Sequence, residues 1–598
     1  LNTPLAKRQL AFRKFFSFTI VLLCFGLLWG RLYFLQILNG DYYQEEANYN
    51  TTFVLRQNAP RGVIYDREGR VLASNKQYNS LLILPSVLFS YDLAKISGLL
   101  AKILSQSPDK LLEQIKKLDP KDSRPFILKQ DLSLKQVAAL YEYHHHLPGV
   151  TVQHQAARHY LYDKTFAHVL GYTQSISSEE LENTSGRSLH DIVGKYGLEK
   201  VLDPELRGKD SYKRIKINRY GQPIEPIDLK ELSHSNQALS GQNVTITLDL
   251  DMQRAAYEAL GKVKGAVVMV DPNNGEILAL VSKPSFDPNL FTSEFSFQDW
   301  HKLNSGQLFL NRALSAYPPG SIWKPLVLLA ALEENFADPE EKLQVKEAIY
   351  LRGFRFGDWT SKRAIMDLKT ALAWSRDTAF YQLALRMKSP EVINKWGAKI
   401  GIGQSTGIEI EGESKGCLPN KQWQKENLNG IWHIGNTLHY SIGQGYLLMT
   451  PVQAARMASF FANKNELPQL HLIKNVGKED ISVEPPMKIE VSDEAMNLVR
   501  DAMRQCVVSG TCQAVKMKDW PVAGKTGSAE APPHPKTHSW FISYAPIENP
   551  EVAIAVFAEN AGHGGSVAAP VARKLLEAYL AKYHPKQPGI YDNHEDKE

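Results

Sequence analysis

The chain has 598 residues, of which 43% are hydrophobic and 22% charged, a composition that excludes extensive disorder and leaves room for three or four ordinary domains. Its 69 basic and 64 acidic side chains are spread along the whole length and leave a formal net charge of only +5, so no nucleic-acid partner is implied. Four cysteines (Cys24, Cys417, Cys506 and Cys512) make neither a Cys-x-x-Cys redox site nor a zinc ligand set. Cys506 and Cys512 are near enough to bridge in an oxidising compartment, but two small buried thiols is the simpler expectation.

In chain order, the first expected element is a membrane span over 15–38. Phe15 to Gly30 carries no charge, and Leu32 to Leu38 continues largely apolar after Arg31, whose head group can snorkel to the interface. Lys7, Arg8, Arg13 and Lys14 precede it, so the positive-inside rule leaves tail 1–14 in the cytoplasm and the remainder outside. The residues after the apolar run offer no small-x-small cleavage site, which favours an uncleaved anchor over a removed signal peptide.

Residues 39–240 read as a mixed α/β region, with a β-rich run at Asn79 to Leu84 and a helical pattern from Ala94 to Ile115. The polar stretch Asp228 to Gly241 reads as a linker, followed by a β run, Asn243 to Leu248. From 241 to 583 strands bracket a helical middle. Gly265 to Val270 and Glu276 to Val281 form an expected hairpin; Ser539 to Tyr544 pairs with Val552 to Ala558; Pro570 to Tyr583 closes as a helix. An α+β fold with an antiparallel sheet flanked by helices follows. The polar tail 584–598 is expected to be disordered.

The chemistry concentrates in three short segments. In Tyr317-Pro318-Pro319-Gly320-Ser321-Ile322-Trp323-Lys324-Pro325, two prolines and a glycine lead into a helix start, from which Ser321 and Lys324 project on one face. A serine hydroxyl is a weak nucleophile until a base takes its proton, and a lysine can be that base when burial or nearby positive charge lowers its pKa. Ser-x-x-Lys alone is a common chance match. Here it is followed by Ser375-Arg376-Asp377 in a helical stretch, and then by Lys525-Thr526-Gly527-Ser528 just before the second strand pair. The trio Ser-x-x-Lys, Ser-Asp-Asn and Lys-Thr-Gly marks penicillin-binding proteins and class A β-lactamases.

With these motifs the chain resembles a class B penicillin-binding protein over nearly its full length. Arg61-Gly62-Val63-Ile64-Tyr65-Asp66-Arg67 with Gly69, then Gly197-Leu198-Glu199 and Leu206-Arg207-Gly208, are similar to motifs of the family's pedestal. Thr247 to Asp251 with Gln253, Ser285 to Asn289, Ser441 to Gly445 and His538 to Phe541 are similar to landmarks of its transpeptidase domain. Phe126 to Ser133, Leu147 to Val150 and His168 to Tyr172 point to the elongation subtype, penicillin-binding protein 2.

The resemblance implies an elongated pedestal over 39–240 and a transpeptidase domain over 241–583. It implies a D,D-transpeptidase that cross-links peptidoglycan stem peptides during rod-shape maintenance and is trapped by β-lactams. The enzyme would sit in the inner membrane with its catalytic domain in the periplasm, beside a RodA-type glycosyltransferase and the rest of an elongation complex. In the implied site Ser321 attacks, Lys324 takes its proton, Ser375 relays protons between Lys324 and Lys525, and Lys525 and Thr526 steer the terminal carboxylate. Gly527 and Asp377 belong to the substrate-binding wall, and the N–H groups of Ser321 and Ser528 form the oxyanion hole. Asp377 stands where the family pattern has Asn, which leaves its role open.

Some relatives hold zinc beside the active site through Asp, His and Cys. Between Arg352 and Ser375 this chain has Asp358 and Asp367 but no His or Cys, so neither a metal nor a cofactor is expected. The alternatives are a division-type relative, a β-lactam sensor or β-lactamase, and a catalytically dispensable activator of a glycosyltransferase. A β-lactamase would leave the pedestal unexplained and would need a water-activating residue.

Overall fold

The computed structural model describes residues 4–43, 52–57, 59–120, 126–184, 187, 191–216, 238–292, 297–518 and 520–585. All but the first two residues of the expected tail, and most of the expected linker, lie outside them. The described chain divides into two compact units, one of residues 1–59, 77–156 and 209–239, the other of 60–76, 157–208 and 240–598.

The first unit contains the apolar N-terminal segment. It is helical over Pro4–Tyr33 and continues as one wider turn over Phe34–Leu38, and it is long and apolar enough to cross a membrane. None of its described apolar side chains is buried by protein: Phe15, Leu27 and Trp29 are all exposed. The same unit has a small core of its own, in which Leu81 and Ile83 pack with Leu100, Leu104, Leu111 and Ile115. The single helix expected over Ala94 to Ile115 is two helices, Leu93–Leu104 and Pro108–Lys116. Ser105 takes a left-handed conformation at φ 55° and ends the first, and Pro108, which has no N–H to give, starts the second. The apolar period survives the break because both helices bury the same face.

The second unit is organised by a five-stranded antiparallel sheet. In chain order its strands are β1 (Gly265–Val270), β2 (Ile277–Lys283), β3 (Ala523–Ala529), β4 (His538–Ala545) and β5 (Val552–Ala558). Their spatial order is β2-β1-β5-β4-β3. Both expected strand pairs form, the first in the register Val267 to Val281 and the second in the register Ile542 to Ala555. Along β1, β4 and β5 successive side chains enter two different cores. Val268, Ile542 and Ala555 join Leu326 and Phe460 on one face, whereas Val267, Phe541 and Ile554 join Ala256 and Leu576 on the other. Covering both faces is why these strands read as unbroken apolar runs rather than as an alternation.

On the second face, helix Asp493–Ser509 ends where the chain reverses through Gly510, and the N–H of Cys512 donates to the carbonyl of Cys506 at 2.9 Å. Cys506 and Cys512 are joined as a disulfide with Cα atoms 5.0 Å apart, which corrects the expectation of two free thiols. Spacing in sequence did not reveal this reversal, which brings the two side chains together.

Part of the sequence between 60 and 208 belongs to this unit and builds a buried network of charge. Arg61 donates to Glu199 (Nε, 3.0 Å) and Asp203 (2.7 Å), and Arg158 donates to the other oxygen of Glu199 (2.5 Å). Arg187 completes the set on Asp203 at 2.8 Å. Nearby, Asp66 and Asp249 face Arg70, and Asp249 also faces Lys582. Arg61, Asp66, Glu199 and Asp249 belong to the family-like segments of the sequence, whereas Arg158, Arg187, Asp203 and Lys582 lie outside them.

Candidate active site

Ser321 lies on a single 3-10 turn, Gly320–Trp323, that runs directly into the buried helix Lys324–Glu333 with Pro325 in its first turn. The turn is fastened on three sides. The Gly320 N–H donates to the carbonyl of Gly443 at 2.9 Å, the Trp540 indole donates to Pro318 at 2.9 Å, and Tyr317 exchanges two backbone hydrogen bonds with Met449. Gly320 has φ +57°, and a Cβ there would stand 2.7 Å from the Ser528 carbonyl; a Cβ on Gly443 would stand 2.0 Å from the Gly320 carbonyl. Only glycine fits either place, so Ser-x-x-Lys, Ser441 to Gly445 and Lys-Thr-Gly-Ser are locked together by backbone contact.

Ser321 is half-buried, and its hydroxyl makes no hydrogen bond among the described residues. Lys324 is wholly buried. Its Nζ donates to the Ser375 carbonyl (2.9 Å), the Ser375 hydroxyl (3.2 Å) and Asp377 Oδ1 (2.6 Å), with the Phe380 ring 5.3 Å away. The first and second motifs are thereby joined through one ammonium group.

Ser375 is not inside a helix, as its sequence context suggested. It occupies the break between helices Leu368–Ala373 and Asp377–Met387 at φ 55°. That left-handed turn is held from behind by Asp358, which has no exposed side-chain surface. Asp358 accepts from Arg376 Nε (3.1 Å), from the Thr378 N–H (3.0 Å) and from the Thr378 hydroxyl (2.9 Å). Sequence reasoning considered Asp358 only as a metal ligand. Its function as a clamp on the second motif depends on Arg376 folding back over it, and no local pattern encodes that. No group of three or more metal-ligating side chains occurs among the described residues.

The third motif lies on β3, the last strand on its side of the sheet; its outward backbone groups have no strand partner among the described residues. Gly527 passes against Pro319, where a Cβ would come within 2.9 Å of the carbonyl. The Ser528 hydroxyl accepts from the Gly564 N–H at 3.2 Å. Lys525 is wholly buried, and its Nζ donates to the Thr526 carbonyl at 3.0 Å. Burial first, and then the positive charge of Lys324, push the Lys525 amine well below its ordinary value, against a smaller pull from Asp377. The structure thus brings Lys324, Ser375, Asp377 and Lys525 into one electrostatic group, with Ser321 and Ser528 meeting at the Gly320 turn.

A serine on a rigid turn, two wholly buried lysines of which one is bonded to a second serine, and an edge strand with no outer strand partner among the described residues define a serine acyl-transferase. Comparison with known proteins gives the family. The penicillin-binding protein transpeptidase domain matches residues 265–577, and the penicillin-binding protein dimerisation domain matches 56–245. The peptidoglycan D,D-transpeptidase MrdA of Haemophilus influenzae is 32% identical, over 97% of this chain and 93% of its own. That of Escherichia coli is 29% identical over 94% and 93%. Among solved structures, the penicillin-binding protein PBP2 of Helicobacter pylori in complex with MreC aligns with TM-score 0.76 at 25% identity, over 89% of this chain and all of that one. A chain of a peptidoglycan synthase complex that coordinates polymerisation and crosslinking aligns with TM-score 0.73 at 29% identity, over 98% of this chain and all of that one. The chain belongs to the penicillin-binding protein transpeptidases and, within them, to the elongation-type peptidoglycan D,D-transpeptidases.

Proposed function

We propose that Ser321 is the nucleophile with which this transpeptidase cross-links stem peptides, and that the buried group behind it handles the proton. A donor stem lies along the free edge of β3, a mode in which backbone pairing gives register and side-chain pockets give specificity. Ser321 attacks the penultimate D-alanine carbonyl, the N–H groups of Ser321 and Ser528 receive the developing negative charge, and the terminal D-alanine leaves. The amine of a neighbouring stem then resolves the acyl-enzyme in a ping-pong cycle.

Lys324 takes the serine proton, and Ser375 passes protons between it and Lys525. The lowered Lys525 amine suits it to accept a proton, while Lys525 and Thr526 steer the substrate carboxylate. Gly527 keeps the wall beside Pro319 flat. Asp377, where a family Asn would donate, accepts from Lys324 and balances its charge. The observation that carries this reading is the single hydrogen-bonded group Lys324–Ser375–Asp377 set against the locked Ser321 turn.

Residues 15–38 form the inner-membrane anchor with tail 1–14 in the cytoplasm and the catalytic residues in the periplasm, a placement supported by the apolar helix and its basic flank. Residues 39–240 act as the pedestal and 241–583 as the transpeptidase domain. The relatives' complexes with MreC and with a peptidoglycan synthase support elongation-complex partners, including a RodA-type glycosyltransferase. β-Lactams mimic the donor and stay on Ser321. The test is Ser321→Ala in the detergent-solubilised full chain. Stable labelling by a fluorescent penicillin and peptide cross-linking are both expected to disappear; cross-linking at the wild-type rate would overturn the mechanism.

A further inference from the structure

The disulfide-closed loop 506–512 lies against the catalytic strand, and nothing in the reaction described above uses it. Its one inward hydroxyl, Thr511 Oγ1, stands 2.7 Å from Thr526 Oγ1. The other atoms near Thr511 Oγ1 are the bridge sulfurs, Cys506 Sγ at 3.3 Å and Cys512 Sγ at 3.9 Å. A bridged sulfur has no proton to donate and is a poor acceptor, so the Thr526 oxygen is the strongest partner Thr511 has.

The loop is fixed in place from several directions. The Thr511 N–H donates to the Ala373 carbonyl at 3.2 Å, and a Cβ on Gly510 would stand 2.3 Å from that same oxygen. The covalent bridge ties Cys512 back to the last turn of helix Asp493–Ser509. Ala373 is two residues before Ser375, and Thr526 is the middle of the third motif. One small loop therefore touches the approach to the second motif through its backbone and the third motif through its side chain.

We infer that Thr511 is a positioning residue for the reaction, donating its hydroxyl proton to Thr526 so that the one proton of Thr526 is left for the carboxylate of the incoming peptide or β-lactam. A hydroxyl has one proton to give and accepts readily with its oxygen. When a carboxylate arrives, Thr526 can donate outward and still keep its inner hydrogen bond only if its inner neighbour donates to it, and two such bonds in series strengthen each other. The bridge holds Thr511 within reach of Thr526, where the competing acceptors for its proton among the described residues are sulfurs. This inference rests on the reading of Thr526 as a carboxylate contact.

The experiment compares Thr511→Val, Thr511→Ser, Thr526→Val and the double variant in the full-length solubilised protein, by the second-order rate of acylation with a fluorescent penicillin and with its carboxylate methyl ester. Thr511→Val is expected to slow acylation by the free acid about fivefold, the effect of losing one neutral hydrogen bond behind Thr526. Thr511→Ser keeps the hydroxyl and is expected to stay within about threefold of wild type. On the ester, and on top of Thr526→Val, the valine at 511 is expected to have no further effect. Thermal melting of each variant separates this from loss of fold. Acylation of Thr511→Val at the wild-type rate, an equal deficit on the ester, or an undiminished deficit in the double variant would each overturn the inference. If Thr526→Val itself left acylation by the free acid unchanged, the carboxylate reading of Thr526 would fall first.

Discussion

The catalytic unit buries two clusters of charge, and they are built on opposite plans. Around Arg61 every charge has an opposite partner: three arginines (Arg61, Arg158 and Arg187) face two carboxylates, Glu199 and Asp203, through directed guanidinium forks. Around Ser375 two lysines share one carboxylate, Asp377, and only Lys324 reaches it. Arginine stays charged and is suited to a permanent bridge, whereas a buried lysine gives up its proton readily. In the first cluster each charged side chain makes a direct ion pair. In the cluster proposed to move protons, one amine has no direct ion pair among the described residues.

The comparison breaks most sharply at Lys525. Lys525→Met is expected to slow acylation about 10²- to 10⁴-fold, the usual contribution of a positioned proton carrier, while the variant melts no lower than wild type. The sign follows from the direction of the shift. The unfolded chain keeps its lysine proton up to the ordinary lysine value of about 10.5, and the folded chain gives it up well below that. Between the two, unfolding takes up a proton, so the wild-type chain is penalised at lower pH and recovers as pH rises. The variant's advantage in melting temperature is therefore expected to be larger at neutral pH and to shrink as pH approaches 10.5. A melting temperature well below wild type at neutral pH would place Lys525 among the structural charges instead.

The opposite outcome is expected in the ion-paired cluster around Arg61. Glu199→Gln keeps the shape but leaves Arg61 and Arg158 short of a charge, and should cost about 3–5 kcal/mol of stability by denaturant titration. The protein that remains folded should be acylated at the wild-type rate. At the small end is Arg573→Ala, which breaks a one-turn surface pair with Glu577 at 2.8 Å. It should change stability by less than about 0.5 kcal/mol and acylation not at all. Partner count and burial, rather than the mere presence of an ion pair, set this order.

Much of the catalytic site was legible because its residues recur in fixed local frames. Ser321 and Lys324 are separated by one turn of chain, so their spacing suggested a shared face, and Lys525 to Ser528 are consecutive on one strand. The strands β1, β4 and β5 were equally visible, because a segment covered on both faces must be apolar throughout. The break at Ser105 was less visible, since both helices carry the same apolar period across it. Asp358 was read only as a candidate ligand, and Thr511 had no local signal at all. Their partners are Arg376 and Thr526, and what joins them is a turn or a neighbouring strand rather than a repeat.

The sequence by itself determined the apolar N-terminal segment, the strands of the sheet that organises the second unit and the identity of the three motifs, since each depends on residues within a few positions of one another. Only the tertiary structure decided that Gly320 and Gly443 lock those motifs by contacts no side chain could survive, and that Cys506 and Cys512 close a loop. It also decided that Asp377 pairs directly with Lys324 while Lys525 has no ion-pair partner among the described residues. Those facts are distances between segments up to about two hundred residues apart in the chain, and long-range distance is set by packing, which local propensity does not encode.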